Sequence, residues 1–194
     1  MKIKLFLPAL FIVFFAFGCA SSDSLQLKTK TDVQQLNQVA EIGTKVGNTP
    51  ADFTLVATDG KIIRLSDFAA QKKPVIVYFM ATWCPYCAQD YSELSKVYPN
   101  YENNISIVSI SLDLSEDIIK IREYKKKYPA LQNTVFAPGQ EKILADYGAT
   151  KTTKKFAIGS DGTIKFVSIG VFDEQQWKIL LGSLADKKSK NKPS

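Results

Sequence analysis

A continuous apolar run and a second run typical of a buried strand limit the folds that are open to this chain. Residues 74–82, PVIVYFMAT, and residues 105–112, ISIVSISL, contain no charged side chain. A strand that reads as a continuous apolar run is buried on both faces of its sheet. Segments with helical spacing follow each run and can supply the covering layers. The alternation of strands and helices therefore predicts an α/β sandwich with a mixed central sheet.

Shorter segments complete this predicted domain. Residues 53–58 and 61–65 predict a hairpin closed by a turn at Asp59-Gly60, and residues 154–169 predict a second hairpin. The other predicted elements are a helix after residue 87 that ends near Pro99, a helix capped by Ser115, a strand over 134–137, a helix over 140–146, and a last helix that opens with Asp173 and Gln176 in capping-box spacing.

The first 19 residues have the layout of a secretory signal. Two lysines precede an apolar run over 5–17, which is shorter than the ~20 residues that a membrane-spanning helix needs. The run ends in Gly18-Cys19, which resembles the lipobox of bacterial lipoproteins and implies a lipid attached to Cys19. Phe17 departs from the lipobox pattern, so cleavage after Ala20, giving a soluble periplasmic protein, is the alternative.

Composition sets the outer parts of the chain apart from the domain. We predict a signal peptide over 1–18, a lipid-attachment cysteine and flexible tether over 19–46, a folded domain over 47–186 and a basic disordered tail over 187–194. The net charge of +6 is thinly spread, and no aromatic residue interleaves the lysines of the tail. A nucleic-acid partner is therefore not expected. The absence of histidine excludes a Ser-His triad and a His-rich metal site.

A Cys-x-x-Cys pair lies where the first apolar run meets the helix that follows. Pro85 suits the first turn of a helix, which puts Cys84 at or near the N-cap. Free N–H groups and the positive end of the helix dipole then face its sulfur and favour thiolate over thiol. Cys87 lies one turn further in and keeps its proton longer. The spacing predicts an exposed attacking sulfur at Cys84 and a shielded resolving sulfur at Cys87.

Three other uses of a cysteine pair fit the sequence less well. A structural disulfide that closes so short a loop would restrict the unfolded chain little. Half of a zinc site needs two further ligands, whereas the chain has only one other cysteine and no histidine. A peroxiredoxin needs the pattern Pro-x-x-x-Thr-x-x-Cys, and here Ala81 stands three residues before Cys84. A redox couple is therefore the interpretation that the sequence favours.

The order of motifs resembles the TlpA-like branch of the thioredoxin superfamily, bacterial envelope thiol–disulfide oxidoreductases. The likeness runs from about residue 46 to residue 185. It is carried by Gly47-x-x-Pro50, DFTL at 52–55, Gly60-Lys61, LSDF at 65–68 and FMATWCPYC at 79–87. The resemblance implies a thioredoxin-like three-layer sandwich, with a mixed central sheet and an N-terminal β-hairpin extension. It also implies no cofactor beyond the redox-active disulfide Cys84–Cys87, and no metal.

The resemblance also assigns supporting roles around the cysteines. Trp83 flanks the reactive sulfur, with simple packing as the alternative, and the Pro85-Tyr86 dipeptide tunes the redox poise. Asp90 stands where the family has an acid, usually Glu, that exchanges a proton with the second cysteine. An acid that merely favours the first helical turn is the alternative interpretation of Asp90.

The stretch KTTKKF at 151–156 departs from the family. The family's cis-proline falls on Thr153, which Thr152 precedes. That proline normally lies against the active-site disulfide and helps to present the loop backbone to substrate. We expect a trans bond before Thr153 and a relaxed loop, which would present substrate less well and shield the sulfurs less. The departure weakens the expectation of ordinary turnover and leaves the predicted fold unchanged.

Together these features predict a membrane-tethered, extracytoplasmic thiol–disulfide oxidoreductase that reduces disulfides of exported proteins. The expected partners are cysteine-containing exported proteins, a membrane or periplasmic thiol reductant, and the membrane itself through lipid on Cys19. The expected location is the cell envelope, facing the periplasm or the outer surface. The alternative function is a carrier of a soft metal such as Cu(I) on the thiolates of Cys84 and Cys87, which the lack of histidine weakens.

Overall fold

The computed structural model describes residues 41–189 of the chain. The predicted signal peptide, Cys19 and most of the predicted tether lie outside these residues. The strands are β1 (Thr54–Val56), β2 (Ile62–Arg64), β3 (Val75–Met80), β4 (Ser106–Ser111), β5 (Val135–Ala137), β6 (Lys154–Ile158) and β7 (Ile164–Ser168). The helices are α1 (Leu65–Ala70), α2 (Pro85–Val97), α3 (Ile118–Lys126), α4 (Glu141–Asp146) and α5 (Glu174–Ser189), and two 3-10 turns lie at Tyr98–Asn100 and Pro129–Leu131.

Strand β3 is central in a five-stranded sheet with the order β5-β4-β3-β6-β7. It pairs in parallel with β4 and antiparallel with β6, where Tyr78 lies opposite Lys155. Strands β1 and β2 form a separate antiparallel hairpin at the N-terminal side of the domain. The predicted α/β sandwich, with a mixed sheet and an added hairpin, is confirmed.

The two faces of the sheet build two hydrophobic clusters. Successive residues of β3 point to opposite faces, so Ile76 and Tyr78 enter one cluster while Val77 and Phe79 enter the other. All six residues of β3 are buried, as the apolar run predicts. Helices α2 and α5 cover the first face and bring the cysteines and Trp177 into its cluster. The site is therefore assembled on the α2–α5 side of the sheet.

The starts of two helices differ from the prediction, which extended a strand to residue 65 and placed a helix cap at Ser115. Strand β2 stops at Arg64 and α1 follows at once, because the carboxylate of Asp52 accepts the Ser66 N–H (2.9 Å) at the start of that helix. Helix α3 is capped by Asp117, not by Ser115, and the Asp117 carboxylate accepts the Lys120 N–H at 2.8 Å. The predicted capping box of α5, between Asp173 and Gln176, is present with both reciprocal hydrogen bonds.

The ordered domain also extends past both of its predicted limits. Residues 41–46, assigned to the tether, lie against the domain, since the Glu41 carbonyl accepts the Thr49 N–H and Gly43 donates to the Thr49 carbonyl. At the other end, α5 continues to Ser189, into the predicted tail. Among the residues described, none of the helices combines the length and apolar character needed to cross a bilayer.

Candidate active site

Cys84 is the N-cap of helix α2, and its sulfur is placed by the first turn of that helix. Its backbone is extended (φ −81°, ψ 115°), Pro85 occupies the first helical position, and Sγ accepts the backbone N–H of Cys87 at 3.2 Å. This is the predicted arrangement, in which a helix N-terminus directs a free N–H group at the sulfur. The expected exposure is wrong, because only 3% of Cys84 is exposed to solvent. A substrate disulfide must therefore reach a sulfur that is almost fully covered.

Cys87 lies one turn inside the same helix and is fully buried. Burial raises the pKa of Cys87 to about 12, and the hydrogen bond with Cys84 adds to this rise. The neutral thiol is therefore the resting form of Cys87 at neutral pH. Both sulfurs are free, so the structure corresponds to the reduced dithiol. Because both cysteines are buried, the division between an attacking Cys84 and a resolving Cys87 stays a prediction, and the raised pKa of Cys87 supports it.

An apolar rim lies beside Cys84. Trp83 and Tyr86 are about two-thirds exposed, although both are large aromatic residues. They line a groove of about 570 Å³ together with Leu112, Ile169, Val171 and the loop residues 150–153. Solvent-exposed aromatic and aliphatic side chains around a reactive atom provide a surface on which an extended polypeptide can pack.

Two acidic residues after strand β4 hold the segment that leads into Cys84. The buried carboxylate of Glu116 accepts the Thr82 N–H (3.0 Å) and also the hydroxyl groups of Thr82 and Ser111. The indole Nε1 of Trp83 donates to the Asp113 carboxylate at 2.7 Å. The approach to the reactive sulfur is therefore fixed by side chains that are about 30 residues further along the chain.

Asp90 lies fully buried on α2, three residues after Cys87, and is enclosed by hydrogen-bond donors. It forms an ion pair with Lys155 (2.7 Å) and accepts the Tyr78 hydroxyl (3.0 Å). Its other oxygen accepts the indole N–H of Trp177 (2.9 Å) and the backbone N–H of Phe172 (3.0 Å). Asp90 is therefore part of a buried polar network beneath the cysteines. The alternative interpretation of Asp90 as an acid of the first turn is wrong, because the first turn of α2 contains no acidic residue.

The loop at Thr152 and Thr153 faces the cysteines across the groove. The Thr152 hydroxyl accepts a hydrogen bond from the Cys84 thiol at 3.3 Å. The peptide bond before Thr153 is trans, as expected, because the described residues contain no cis peptide bond. The expected relaxed loop is wrong, since Thr153 has φ +62° and is buried. A β-branched residue in this left-handed region carries strain of about 1–3 kcal/mol, which surrounding contacts must offset.

The structure brings together every site residue predicted within the described part of the chain. Cys84, Cys87 and their helical neighbours face the loop of Thr152 and Thr153, while Cys19 lies outside the described residues. Sequence reasoning missed Lys155, Glu116 and Asp113. The signal for Lys155 was available, because alternation along a buried strand places it on the same face as Ala157. The contacts of Glu116 and Asp113 depend on a turn that no local pattern specifies.

The arrangement supports exchange between a dithiol and a disulfide. One sulfur sits at a helix N-terminus, and a second sulfur, one turn away, can close a disulfide with it. The described part of the chain holds no group of three or more histidine, cysteine, aspartate or glutamate side chains arranged to bind a metal ion.

A sheet sandwich with Cys-x-x-Cys at the start of the helix after its central strand defines a thioredoxin-like protein. The chain belongs to the AhpC/TSA family, whose model matches residues 46–167. The predicted resemblance to TlpA-like members of the thioredoxin superfamily is thereby confirmed at the level of fold and family.

Individual relatives agree with this assignment. The chain is 24% identical over 149 residues to the thioredoxin-like protein YneN of Bacillus subtilis, covering 76% of this chain and 85% of the relative. It is 28% identical over 148 residues to the thiol-disulfide oxidoreductase ResA of Oceanobacillus iheyensis, covering 73% of each. The crystal structure of a thioredoxin-family thiol:disulfide interchange protein from Chlorobium tepidum superposes with a TM-score of 0.61. That structure is 21% identical and is covered to 96%, against 71% of this chain.

Proposed function

We propose that this protein is an extracytoplasmic thiol–disulfide oxidoreductase that reduces disulfides of exported proteins through Cys84 and Cys87. One observation supports the proposal most strongly. The Cys84 sulfur accepts the Cys87 N–H at the helix N-terminus and lies beneath an exposed aromatic rim. The relatives named as thiol–disulfide oxidoreductases support the reaction class.

The first step is attack by the Cys84 thiolate on one sulfur of a substrate disulfide. A bond forms between the two sulfurs, the substrate S–S bond breaks, and its electron pair leaves on the second substrate sulfur. That sulfur takes up a proton from solvent. The product is a mixed disulfide that holds the substrate in the groove beside Trp83 and Tyr86.

The second step requires Cys87 to lose a proton. Part of the rise in the pKa of Cys87 comes from the hydrogen bond and charge of Cys84, and both disappear once Cys84 is in the mixed disulfide. The first step therefore makes the second sulfur easier to ionise. The Cys87 thiolate then attacks the Cys84 sulfur, and a Cys84–Cys87 disulfide forms. The bond between Cys84 and the first substrate sulfur breaks, and that sulfur leaves with the electron pair and takes up a proton. The substrate gains two electrons, and a dithiol reductant must restore the Cys84–Cys87 dithiol.

The proposed setting is the cell envelope. The basic and apolar leader that ends in Cys19 supports export and lipid attachment, with cleavage after Ala20 as the alternative. Cys19→Ser should move the full-length protein from the membrane fraction to the soluble fraction. A wild-type protein that is already soluble and begins at residue 21 would contradict lipid attachment.

The reaction is tested by turbidimetric reduction of insulin with a dithiol donor, using the reduced wild-type protein and a Cys84→Ser variant. We expect catalysis only from the wild type. A Cys87→Ala variant expressed in the envelope should trap substrates as mixed disulfides, which mass spectrometry can identify. Equal rates for the wild type and Cys84→Ser would contradict the proposal.

The soft-metal carrier remains the alternative for the same two sulfurs. The raised pKa of Cys87 counts against it, because both cysteines must be deprotonated to bind Cu(I). Copper titration of the reduced protein distinguishes the two functions. Stoichiometric tight binding without insulin reduction would favour the carrier.

A further inference from the structure

Lys155 is a fully buried lysine that the proposed reaction does not use. It lies on β6 opposite Tyr78, and its ammonium group sits within 6 Å of the rings of Tyr78, Phe172 and Trp177. A lysine is rarely buried unless its charge is paired and its donors are satisfied. The contacts that satisfy it therefore indicate what it holds in place.

All three N–H donors of Lys155 have an acceptor. The ammonium group donates to the carboxylate of Asp90 (2.7 Å) and to the carbonyls of Thr153 (3.1 Å) and Gly170 (2.6 Å). Two of these acceptors belong to backbone segments that flank the groove. The third lies on α2, the helix that carries both cysteines.

The contacts around Thr153 close a ring. Gly170 N donates to the Thr153 hydroxyl at 2.9 Å, while Lys155 binds the carbonyl groups of the same two residues. The Thr153 hydroxyl in turn donates to the Thr152 carbonyl at 2.6 Å. Four hydrogen bonds thus hold the backbone at the position where Thr153 has φ +62°.

We propose that Lys155 is a positioning residue, whose buried ammonium group, balanced by Asp90, holds the loop of Thr152 and Thr153 over Cys84 in place of the family's proline. The held loop sets the Thr152 hydroxyl 3.3 Å from the Cys84 sulfur and forms one wall of the groove. This inference rests on the proposed thiol–disulfide exchange at Cys84. It assigns to this chain a different way of presenting loop backbone to a polypeptide substrate.

Stability alone is a poor explanation for the pair of Lys155 and Asp90. Burying two charges has a desolvation cost that their attraction does not always recover, and apolar replacements of buried pairs are often neutral or stabilising. Burial lowers the pKa of Lys155, and Asp90 opposes this change, as expected for a pair under that cost. The gain lies in directed hydrogen bonds, which an apolar side chain cannot make.

The adjacent Lys154 provides a matched control. It also donates to two backbone carbonyls, those of Tyr147 (2.9 Å) and Gly148 (2.8 Å). Its ammonium group lies over Phe156, a residue of the cluster on the opposite face of the sheet. Lys154→Met therefore removes a similar set of contacts without touching the groove.

The test compares the wild type, Lys154→Met and the double variant Asp90→Asn/Lys155→Met. The double variant removes both charges together, so that no unpaired carboxylate is left buried, and the amide introduced on α2 keeps an oxygen for Trp177. Three quantities are measured on folded protein: kcat and KM for a disulfide-containing peptide, and the rate at which iodoacetamide alkylates Cys84. A merely structural role for Lys155 would not raise both KM and the alkylation rate of Cys84 in folded protein.

We expect the double variant to raise KM about tenfold and to alkylate at Cys84 several-fold faster, the scale of one lost charged hydrogen bond. A change in kcat would report on the acid at position 90 and does not bear on the loop. Lys154→Met should match the wild type in all three. A folded double variant with wild-type KM and alkylation rate would overturn the inference.

Hydrogen exchange in the wild-type protein tests the contact between Thr153 and Gly170 without any variant. The Gly170 amide should exchange as slowly as the sheet amides of β6, because it is held by the Thr153 hydroxyl. Exchange at the rate of an open loop would also overturn the inference. Alkylation and exchange need no turnover, so they report on the loop even if the wild type fails to reduce insulin, which would contradict only the proposed function.

Discussion

The segment 81–87 and the loop 150–153 face each other across Cys84, yet they are built in different ways. In the first, the turn that holds Cys84 takes its shape from its own sequence, since Pro85 starts a helix and makes Cys84 its N-cap, while Glu116 and Asp113 support the two residues before it. The second depends on partners from other elements, because Gly170, and Lys155 paired with Asp90, hold Thr153 in a conformation that threonine rarely adopts. The reactive group is thus locally encoded, whereas the surface that faces it depends on the assembled fold.

The largest effect on disulfide reduction should come from substituting the two cysteines of the segment 81–87. Cys84→Ser removes the sulfur at the helix N-terminus beneath the groove, and we expect disulfide reduction to fall to background. Cys87→Ser keeps the attacking sulfur and should accumulate mixed disulfides without release. Non-reducing gels with mass spectrometry separate the two outcomes. Accumulation of mixed disulfides on Cys87 in the Cys84→Ser variant would reverse the assigned roles.

The second largest effect concerns the reactivity of Cys87. Its pKa is raised from 9.0 to about 12, mainly by burial, so only a small fraction is thiolate at neutral pH. In a Cys84→Ala variant, the alkylation rate of Cys87 should rise about tenfold per pH unit up to pH ~10 without a plateau. Iodoacetamide labelling across this range measures it. A plateau near pH 9 would mean that burial does not control this thiol.

The same shift sets the sign of a stability change. The reduced protein keeps the Cys87 proton when the unfolded chain has lost it, between pH 9.0 and about 12. The unfolded state then binds fewer protons, so this contribution to stability is present below pH 9.0 and is lost as the pH rises. Cys87→Ala should flatten that part of the curve of unfolding free energy against pH.

The next prediction concerns the support that Glu116 gives to the segment 81–87. Glu116→Ala leaves the N–H and hydroxyl of Thr82 without their acceptor, and we expect a loss of about 1–3 kcal/mol of unfolding free energy. Glu116→Gln keeps an acceptor oxygen and should lose less. Urea unfolding of both variants provides the measurement. Equal losses would show that the carboxylate charge, not hydrogen bonding to Thr82, holds the segment.

Substitutions of Thr153 should change the unfolding free energy less, and the structure predicts the direction of each change. Proline requires φ near about −65°, whereas Thr153 has φ +62°, so Thr153→Pro must displace the loop and should cost more than about 1 kcal/mol. Thr153→Gly loses the hydroxyl but removes the left-handed strain, so its net change should be smaller. Unfolding free energies and insulin reduction test both. A Thr153→Pro variant that is as stable as the wild type would mean that the loop moves freely between conformations.

The sequence was most informative where structure is local. The apolar run of β3, the capping box of α5 and the helix that starts after Cys84 each follow from a few adjacent residues. The start of α1 could not be read, because the Ser66 N–H is accepted by Asp52, 14 residues earlier, and the Leu65 N–H by the Phe53 carbonyl. The pairing of Asp90 with Lys155 depends on the register of β3 with β6, and a single sequence does not specify that register.

The smallest effect concerns the rim. Trp83 is 60% exposed, and its indole donates to Asp113 at 2.7 Å. Because this contact is exposed to water, Asp113→Ala should leave the unfolding free energy nearly unchanged. The bonds from Ser115, and then the bond from Trp83, hold the pKa of Asp113 below its ordinary value of 3.8. The indole contact should therefore persist above pH 3.8 and be lost only as the pH falls below it.

Tryptophan fluorescence measures this contact. The difference in emission between the wild type and Asp113→Ala isolates Trp83 from the buried Trp177, and it should vanish under more acidic conditions than pH 3.8. Substrate KM provides the link to function, because a freed indole can turn away from the groove. If Asp113→Ala leaves both emission and KM unchanged, the rim is positioned by packing alone. In that case the segment 81–87 and the loop 150–153 would differ only in how their backbones are held, and not in how their side chains are positioned.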